Sequence, residues 1–239
     1  GTLTIDRIVL EQHCDVVRKE DDDVLRLACL NSFYQTGLRN TLDRAILKHS
    51  RLVPRQYRKV DEVPFDFSRK VMSVVVEMDG RHRLIAKGAP EEIFKRCSRY
   101  ELDGEVFEME QFILTDLRAE CDELSAEGFR VLAIAYRDFE PARETYSRDD
   151  ESELILKGYL AFLDPPKPTA RRTIETLRGL GIEVKVLTGD SELVTRKICD
   201  EVGLDVRGVV TGERVEACPD AELRELVKTA SVFARLSPV

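Results

Sequence analysis

Three prolines in four residues, in Asp164-Pro165-Pro166-Lys167-Pro168, constrain this 239-residue chain more than any other run. Proline has no amide proton to give to a helix or a sheet ladder, and its ring fixes φ near −65°. No regular element passes through such a run, so the chain changes character there. Before it, from about residue 22 to 163, helices alternate irregularly with hairpins. Residues 22–33 and 41–48 carry the apolar spacing of helices. Residues 71–78 and 81–86 flank Asp79-Gly80, a pair that supplies the positive φ angles of a tight hairpin turn. Residues 100–109 repeat the pattern around Asp103-Gly104. Residues 111–127 read as a helix closed by Gly128, and 129–135 and 154–163 as buried strands. This mixture predicts an α+β unit around a largely antiparallel sheet.

Beyond the prolines the pattern turns regular. A helix at 169–180, a strand at 183–187 and a helix at 191–202 are expected. A short strand at 208–210, a helix at 221–230 and a strand at 232–234 follow. Strands separated by helices predict a parallel, Rossmann-like layer. Lys and Arg number 37 against 45 Asp and Glu, a net charge of −8, which argues against a nucleic-acid module. A local site for a small anion remains compatible with that balance. The six cysteines form no C-x-x-C pair, so neither a zinc site nor a disulfide framework is expected, and a reducing setting is. No run approaches the ~20 apolar residues of a membrane span. The acidic stretch 148–153 reads as a solvated loop. The two ends read as those of an excised segment.

Five short runs could carry chemistry. In Lys185-Val186-Leu187-Thr188-Gly189-Asp190 a strand ends in Thr-Gly-Asp and a helix begins at once. Ligands of open α/β sheets bind beyond the carboxyl ends of strands. There Thr188 offers a hydroxyl, Gly189 allows close backbone approach, and the helix start favours an anion. The same residues read equally as a turn with Asp190 as N-cap. At Lys87-Gly88-Ala89-Pro90 a strand ends and Pro90 suits a first helical turn. Lys87 there either faces a nucleotide or is a solvated lysine. Phe65-Asp66-Phe67-Ser68-Arg69-Lys70 sets aromatics beside two cations, fit to stack on a base or simply a core Phe at a charged edge. Arg130 interrupts an apolar strand and needs a carboxylate partner or a bound anion. Asp43 falls in the first turn of a helix, where the dipole favours a carboxylate.

In order along the chain, Gly1-Thr2-Leu3-Thr4, Phe67-Ser68-Arg69-Lys70, Lys87-Gly88-Ala89-Pro90-Glu91, Asp164 to Pro168, Leu187 to Ser191 and Phe233-Ala234-Arg235-Leu236-Ser237-Pro238 form a colinear set. The set resembles the large cytoplasmic segment of P-type ATPases, the ion pumps that pass through a phospho-aspartate. It spans essentially the whole chain, and 187–194 with 233–238 look most like the bacterial magnesium-transporting branch. The resemblance implies an α/β protein overall. An α+β nucleotide-binding domain at 8–157, with a largely antiparallel sheet, would be inserted in a partial Rossmann-like phosphorylation domain of haloacid-dehalogenase type at 1–7 and 158–239. It further implies ATP as ligand with Mg²⁺ accompanying it. The implied partners are the transmembrane and actuator domains of the same pump, and the implied place is the cytoplasmic face of the plasma (inner) membrane.

By the same resemblance, Phe67 would stack on adenine, and Lys87 and Gly88 would line its pocket. Asp43 would bond near the adenine amino group, and Arg130 would contact the phosphates. Thr188, Gly189 and Asp190 would hold the γ-phosphate, Thr2 would assist, and Asp164 would support the hinge. The family motif Asp-Lys-Thr-Gly-Thr-Leu-Thr is matched only from its Gly onward, so the phosphorylated aspartate is absent from these 239 residues and the segment alone is expected to be catalytically incomplete. Arg69 and Lys70 receive no role, because the stretch after Phe67 is shorter than in the family's calcium pumps. Asp43 stands where many members carry Glu. Two alternatives are a soluble haloacid-dehalogenase-type phosphatase with a large cap and a non-catalytic nucleotide-sensing module.

Overall fold

In the computed structural model, which describes residues 2–5, 7–37, 40–50 and 52–237, contacts divide the chain into two units. Gly1 and Pro238 of the motifs above lie outside the described residues. The larger unit comprises residues 8–121 and 131–162; the smaller comprises 1–7, 122–130 and 163–239.

The elements of the larger unit begin with β1 (Val9–Cys14), α1 (Asp22–Tyr34) and α2 (Thr41–His49). Then come β2 (Arg58–Asp66), β3 (Val71–Met78), β4 (Arg81–Gly88), α3 (Pro90–Phe94), β5 (Cys97–Leu102) and β6 (Glu105–Glu108). α4 (Gln111–Ala126), β7 (Arg130–Phe139) and β8 (Leu154–Leu163) complete the series, though the end of α4 from Asp122, Arg130 at the start of β7 and Leu163 at the end of β8 belong to the smaller unit. Eight strands form one sheet in the order β2-β3-β4-β7-β8-β5-β6, with β1 on β8. The pairs β2–β3, β3–β4, β4–β7 and β5–β6 are antiparallel, and β5–β8 is parallel. The β3–β4 hairpin turns on Asp79 (φ 51°) and Gly80 (φ 74°), the left-handed pair its sequence calls for. Residues 71–76 of β3 are all buried, so this strand lies inside the sheet with both faces covered. Val74, Val76, Ile85, Ile134, Leu160 and Phe162 share a core with Leu27 and Leu30 of α1 and Ile46 of α2.

The smaller unit contains α5 (Ala170–Gly179), β9 (Val186–Leu187), α6 (Glu192–Val202), β10 (Val209–Thr211), α7 (Gly212–Ala217), α8 (Asp220–Thr229) and β11 (Val232–Ala234). Its three strands are parallel, in the order β10-β11-β9. Ala170, Ile174, Cys199, Val202, Val232 and Ala234 form its core. The strand expected at 183–187 is only two residues long, because its neighbour β11 offers partners only to Val186 and Leu187. The proline run joins no long ladder, yet it is not bare. Pro165 accepts from the Ile5 amide at 3.1 Å, and Lys167 donates to Leu3 at 2.8 Å, around an isolated Thr4–Pro166 bridge. The prolines lend carbonyls, which they retain, rather than amides, which they lack. No helix among the described residues is long and apolar enough to cross a membrane.

Candidate functional site

Lys87, one residue from the end of β4, is 4% exposed and not solvated. Its Nζ donates to Asp43 Oδ1 at 2.5 Å and to Ser32 Oγ at 2.6 Å. Ser32, buried in α1, donates in turn to Asp43 Oδ1 at 3.0 Å. Asp43 is 1% exposed and closes a capping box on α2. Its amide donates to Asn40 Oδ1 at 2.9 Å, and its Oδ2 accepts from the Asn40 amide at 3.3 Å. Asp43 thus bonds both Lys87 and Ser32 within the protein. Burial alone would raise the Asp43 pKa, but the Lys87 charge and the bonds from Lys87 and Ser32 outweigh it and hold the carboxyl below its usual range. Burial pulls the Lys87 ammonium down from its ordinary value, opposed by Asp43. Asn31 of α1, which no sequence signal marked, donates to the Ile85 carbonyl at 2.8 Å and so ties the helix to β4.

Register brings the Phe67 run to this same sheet end. Asp66 pairs with Val71, and Val71 pairs with Gly88. Phe67 is not a core residue: its ring is 70% exposed and meets Phe65 edge-on at 5.2 Å. The turn beneath it is organised by Asp66. Its Oδ1 accepts from the Ser68 hydroxyl at 2.5 Å and amide at 2.8 Å, and from the Arg69 amide at 3.3 Å. These bonds, led by the Ser68 hydroxyl, lower its pKa to about 2. A Cβ on Gly88 would lie 2.5 Å from the Lys70 carbonyl oxygen. The close approach that Gly88 permits is thus used by its own neighbouring strand.

Arg69 is committed within the protein. Its guanidinium pairs with Glu151 and donates to the Pro64 carbonyl at 2.6 Å. The expectation of a solvated acidic loop at 148–153 holds for the exposed residues 148, 149, 152 and 153 and is corrected at Glu151. Glu151 is 3% exposed, and Arg148–Asp150 is a 3-10 turn capped by Ser147. Charge density along the sequence does not reveal that one acid of the run turns inward to a cation 82 residues away.

In the smaller unit, Thr188 follows β9. Its hydroxyl accepts from the Asp190 amide at 3.1 Å and donates to Asp190 Oδ2 at 3.2 Å. Backbone bonds from Thr188 to the Phe233 carbonyl (3.0 Å) and from Arg235 to the Asp190 carbonyl (2.9 Å) pin this loop against β11. The N-cap of α6 is Ser191, whose side chain accepts from the Val194 amide at 3.4 Å, and not Asp190. The Asp190 carboxylate instead pairs with the Arg130 guanidinium in the same unit, so Arg130 has a carboxylate partner. Gly189 is exposed, and so is Thr2. Thr4 donates to Asp164 Oδ2 at 2.7 Å, while Asp164 Oδ1 is buried without a partner among the described residues. Asp43 and Lys87 are thus bonded to each other, Gly88 and Phe67 share their sheet end, and Arg130 joins the Thr188-Gly189-Asp190 loop.

The family model described as "P-type ATPase, cytoplasmic domain N" matches residues 6–169. Over the full chain, the sequence is 48% identical to a protein of Escherichia coli (strain K12) named "Magnesium-transporting ATPase, P-type 1". It is 46% identical to a protein of that name in Salmonella typhimurium (strain LT2). Over 87% of the chain it is 32% identical to "Calcium-transporting ATPase 1" of Lactococcus lactis, of which it covers 25%. The chain spans 27% of the length of the magnesium-transporting relatives. The match to the family model takes in both Lys87 with its buried partners and the exposed Phe67, and the chain belongs to the P-type ATPase family.

Proposed function

We propose that this chain binds ATP at the strand end that carries Lys87 and Phe67, and that it serves a magnesium-transporting pump as its nucleotide-handling part. The observation that carries the reading is the buried Lys87–Asp43–Ser32 cluster beside an exposed aromatic. A buried ion pair adds little stability over an apolar pair of the same shape. Such a cluster at a strand end is therefore a better sign of a site than of a core. The residues fit the ligand. An adenine needs a flat apolar face, which Phe67 offers with its ring propped by Phe65. The Lys87–Asp43 pair would form the polar wall, and Gly88 would keep the strand end free of bulk.

We assign phosphate contacts to Arg130 and to Thr188, Gly189, Asp190 and Thr2 on family membership. ATP would supply the phosphoryl group, and Mg²⁺ would offset its charge. We assign residues 8–157 as the nucleotide-binding domain, and 1–7 with 158–239 as part of the phosphorylation domain. The phosphorylated aspartate, the membrane helices and the actuator domain belong to the rest of the pump, with this part on the cytoplasmic side.

The test is an ATP titration of the isotopically labelled chain followed by chemical shifts. Saturable shifts on Phe67, Lys87 and Gly88 are expected. Phe67→Ala removes an exposed ring and leaves the core alone. It should weaken ATP about tenfold, since base–aromatic stacking contributes about 1–3 kcal/mol. A well-dispersed spectrum that does not move at millimolar ATP overturns the reading.

A further inference from the structure

We propose that Glu151 is a positioning residue for Phe67: it clamps the 66–70 turn from beneath through Arg69 and so presents the aromatic ring for the base. The inference rests on the ATP-binding reading above. It starts from a buried carboxylate that the site as described does not use. Glu151 Oε1 accepts from the Ser73 hydroxyl at 2.7 Å, and Oε2 accepts from the Arg69 guanidinium. Arg96 Nε stands 4.0 Å away as a second cation. Ser73 is fully buried on β3, just past the turn, and Arg69 lies within the turn. Arg69 also reaches back to the Pro64 carbonyl on β2. One carboxylate therefore ties both limbs of the turn to a fixed point.

The segment that delivers Glu151 is itself anchored. The Tyr146 amide donates to Asp61 Oδ2 of β2 at 2.7 Å. Its hydroxyl lies 3.0 Å from His82 Nδ1 of β4, and its ring packs on Phe139 of β7 at 5.2 Å. On the outer side of the turn, Arg148 donates to Asp66 Oδ2 at 2.9 Å. Residues 146–151 thus grip the turn twice, once on the inside through Glu151 and once on the outside through Arg148.

Phe67 needs such a grip. Its ring is exposed, and its ring contact is with Phe65, itself half exposed. An aromatic on a free turn loses conformational freedom when it stacks on a base, and a turn fixed beforehand removes that cost from binding. Glu151 needs no contact with the ligand for this, and a charged anchor is not explained by stability, since an apolar contact would serve the core as well.

The experiment is a double-mutant cycle on the 239-residue chain: wild type, Glu151→Gln, Phe67→Ala and the double variant, each titrated with ATP and with inorganic tripolyphosphate. Thermal unfolding is measured in parallel. Glu151→Gln should weaken ATP about threefold to tenfold in the wild-type background, the range of lost preorganisation, and leave it unchanged in the Phe67→Ala background. Tripolyphosphate affinity should not change. Equal weakening in both backgrounds, or no weakening in a folded Glu151→Gln protein, overturns the clamp and leaves the ATP reading intact. ATP affinity that is indifferent to Phe67→Ala overturns the ATP reading and the clamp with it. Should Glu151→Gln fail to fold, Arg69→Lys keeps the charge and removes the fork, and the same cycle is run with it.

Discussion

The two strand ends that carry the family motifs hold their charges in opposite ways. In the larger unit, Lys87 and Asp43 are buried, and each bonds to a residue on a different element: β4, α1 and α2 all contribute. In the smaller unit, Thr188 and Asp190 are half exposed, and their side chains bond to each other two residues apart. The first arrangement depends on tertiary packing and is costly to disturb. The second joins a local Thr188–Asp190 bond to one half-exposed ion pair with Arg130, and is less costly to disturb. A ligand surface built the first way is fixed before the ligand arrives, whereas in the second the backbone is pinned to β11 and only the half-exposed side chains are open to exchange partners.

The largest effect is expected where the first arrangement is broken. Lys87→Met strands the Asp43 carboxylate in the core and should cost about 3–5 kcal/mol. Urea unfolding followed by far-ultraviolet circular dichroism reads this, since the chain has no tryptophan. Adding Asp43→Leu should recover most of the loss. If the double variant is no better than the single one, the pair does not behave as a unit. The pH dependence carries the same information. The Asp43 carboxyl is held below its ordinary value, so its contribution is fully present above the unfolded pKa, about 3.9, and is lost as pH falls through the folded value. Wild type should therefore lose stability below about pH 4 more steeply than Lys87→Met/Asp43→Leu. Parallel acid limbs in the two proteins would remove the pair from the account.

A smaller loss is expected at Gly88. A Cβ there meets the Lys70 carbonyl at 2.5 Å and Val71 Cγ2 at 2.8 Å. The carbonyl belongs to the turn that carries Phe67 and cannot simply rotate away. Gly88→Ala should destabilise the larger unit by about 1–3 kcal/mol, as overpacking generally does, and weaken ATP through the displaced turn. Wild-type stability in this variant would show that the strand end is looser than its spacing states.

What the sequence discloses tracks what is decided locally. The Asp79-Gly80 and Asp103-Gly104 turns, the helix end at Gly128 and the long apolar strands could be read directly, because a few neighbouring residues determine them. β2 could not. Its residues Arg58 to Asp66 are mostly polar and include Pro64, and only Val63 among them is buried. An edge strand that faces water has no alternation to detect, and proline is tolerated there. The site divides in the same way. Phe67, Lys87 and the Thr188 loop stand out by motif, but the partners of Lys87 and Arg69 do not. Ser32 and Glu151 lie 55 and 78–82 residues from the groups they bind, and nothing in their immediate sequence marks them. The sequence places the cap of α6 at Asp190, one residue before the actual cap Ser191, and both residue types fill that position well.

That last ambiguity gives the smallest and sharpest test of the comparison. Ser191 accepts from the Val194 amide, so Ser191→Ala should remove one N-cap bond and cost about 1 kcal/mol in the smaller unit alone. Asp190 gives nothing to the helix start. Asp190→Asn keeps the size of the side chain and weakens its bonds with Thr188 and its half-exposed pairing with Arg130, a kind of ion pair generally worth about 1 kcal/mol or less. Hydrogen exchange of the α6 amides separates the two: Ser191→Ala should speed exchange in the first turn, and Asp190→Asn should not. Equal effects would make Asp190 part of the helix cap. A protected first turn in Asp190→Asn frees that carboxylate from the helix cap, as the phosphate contact proposed for it requires.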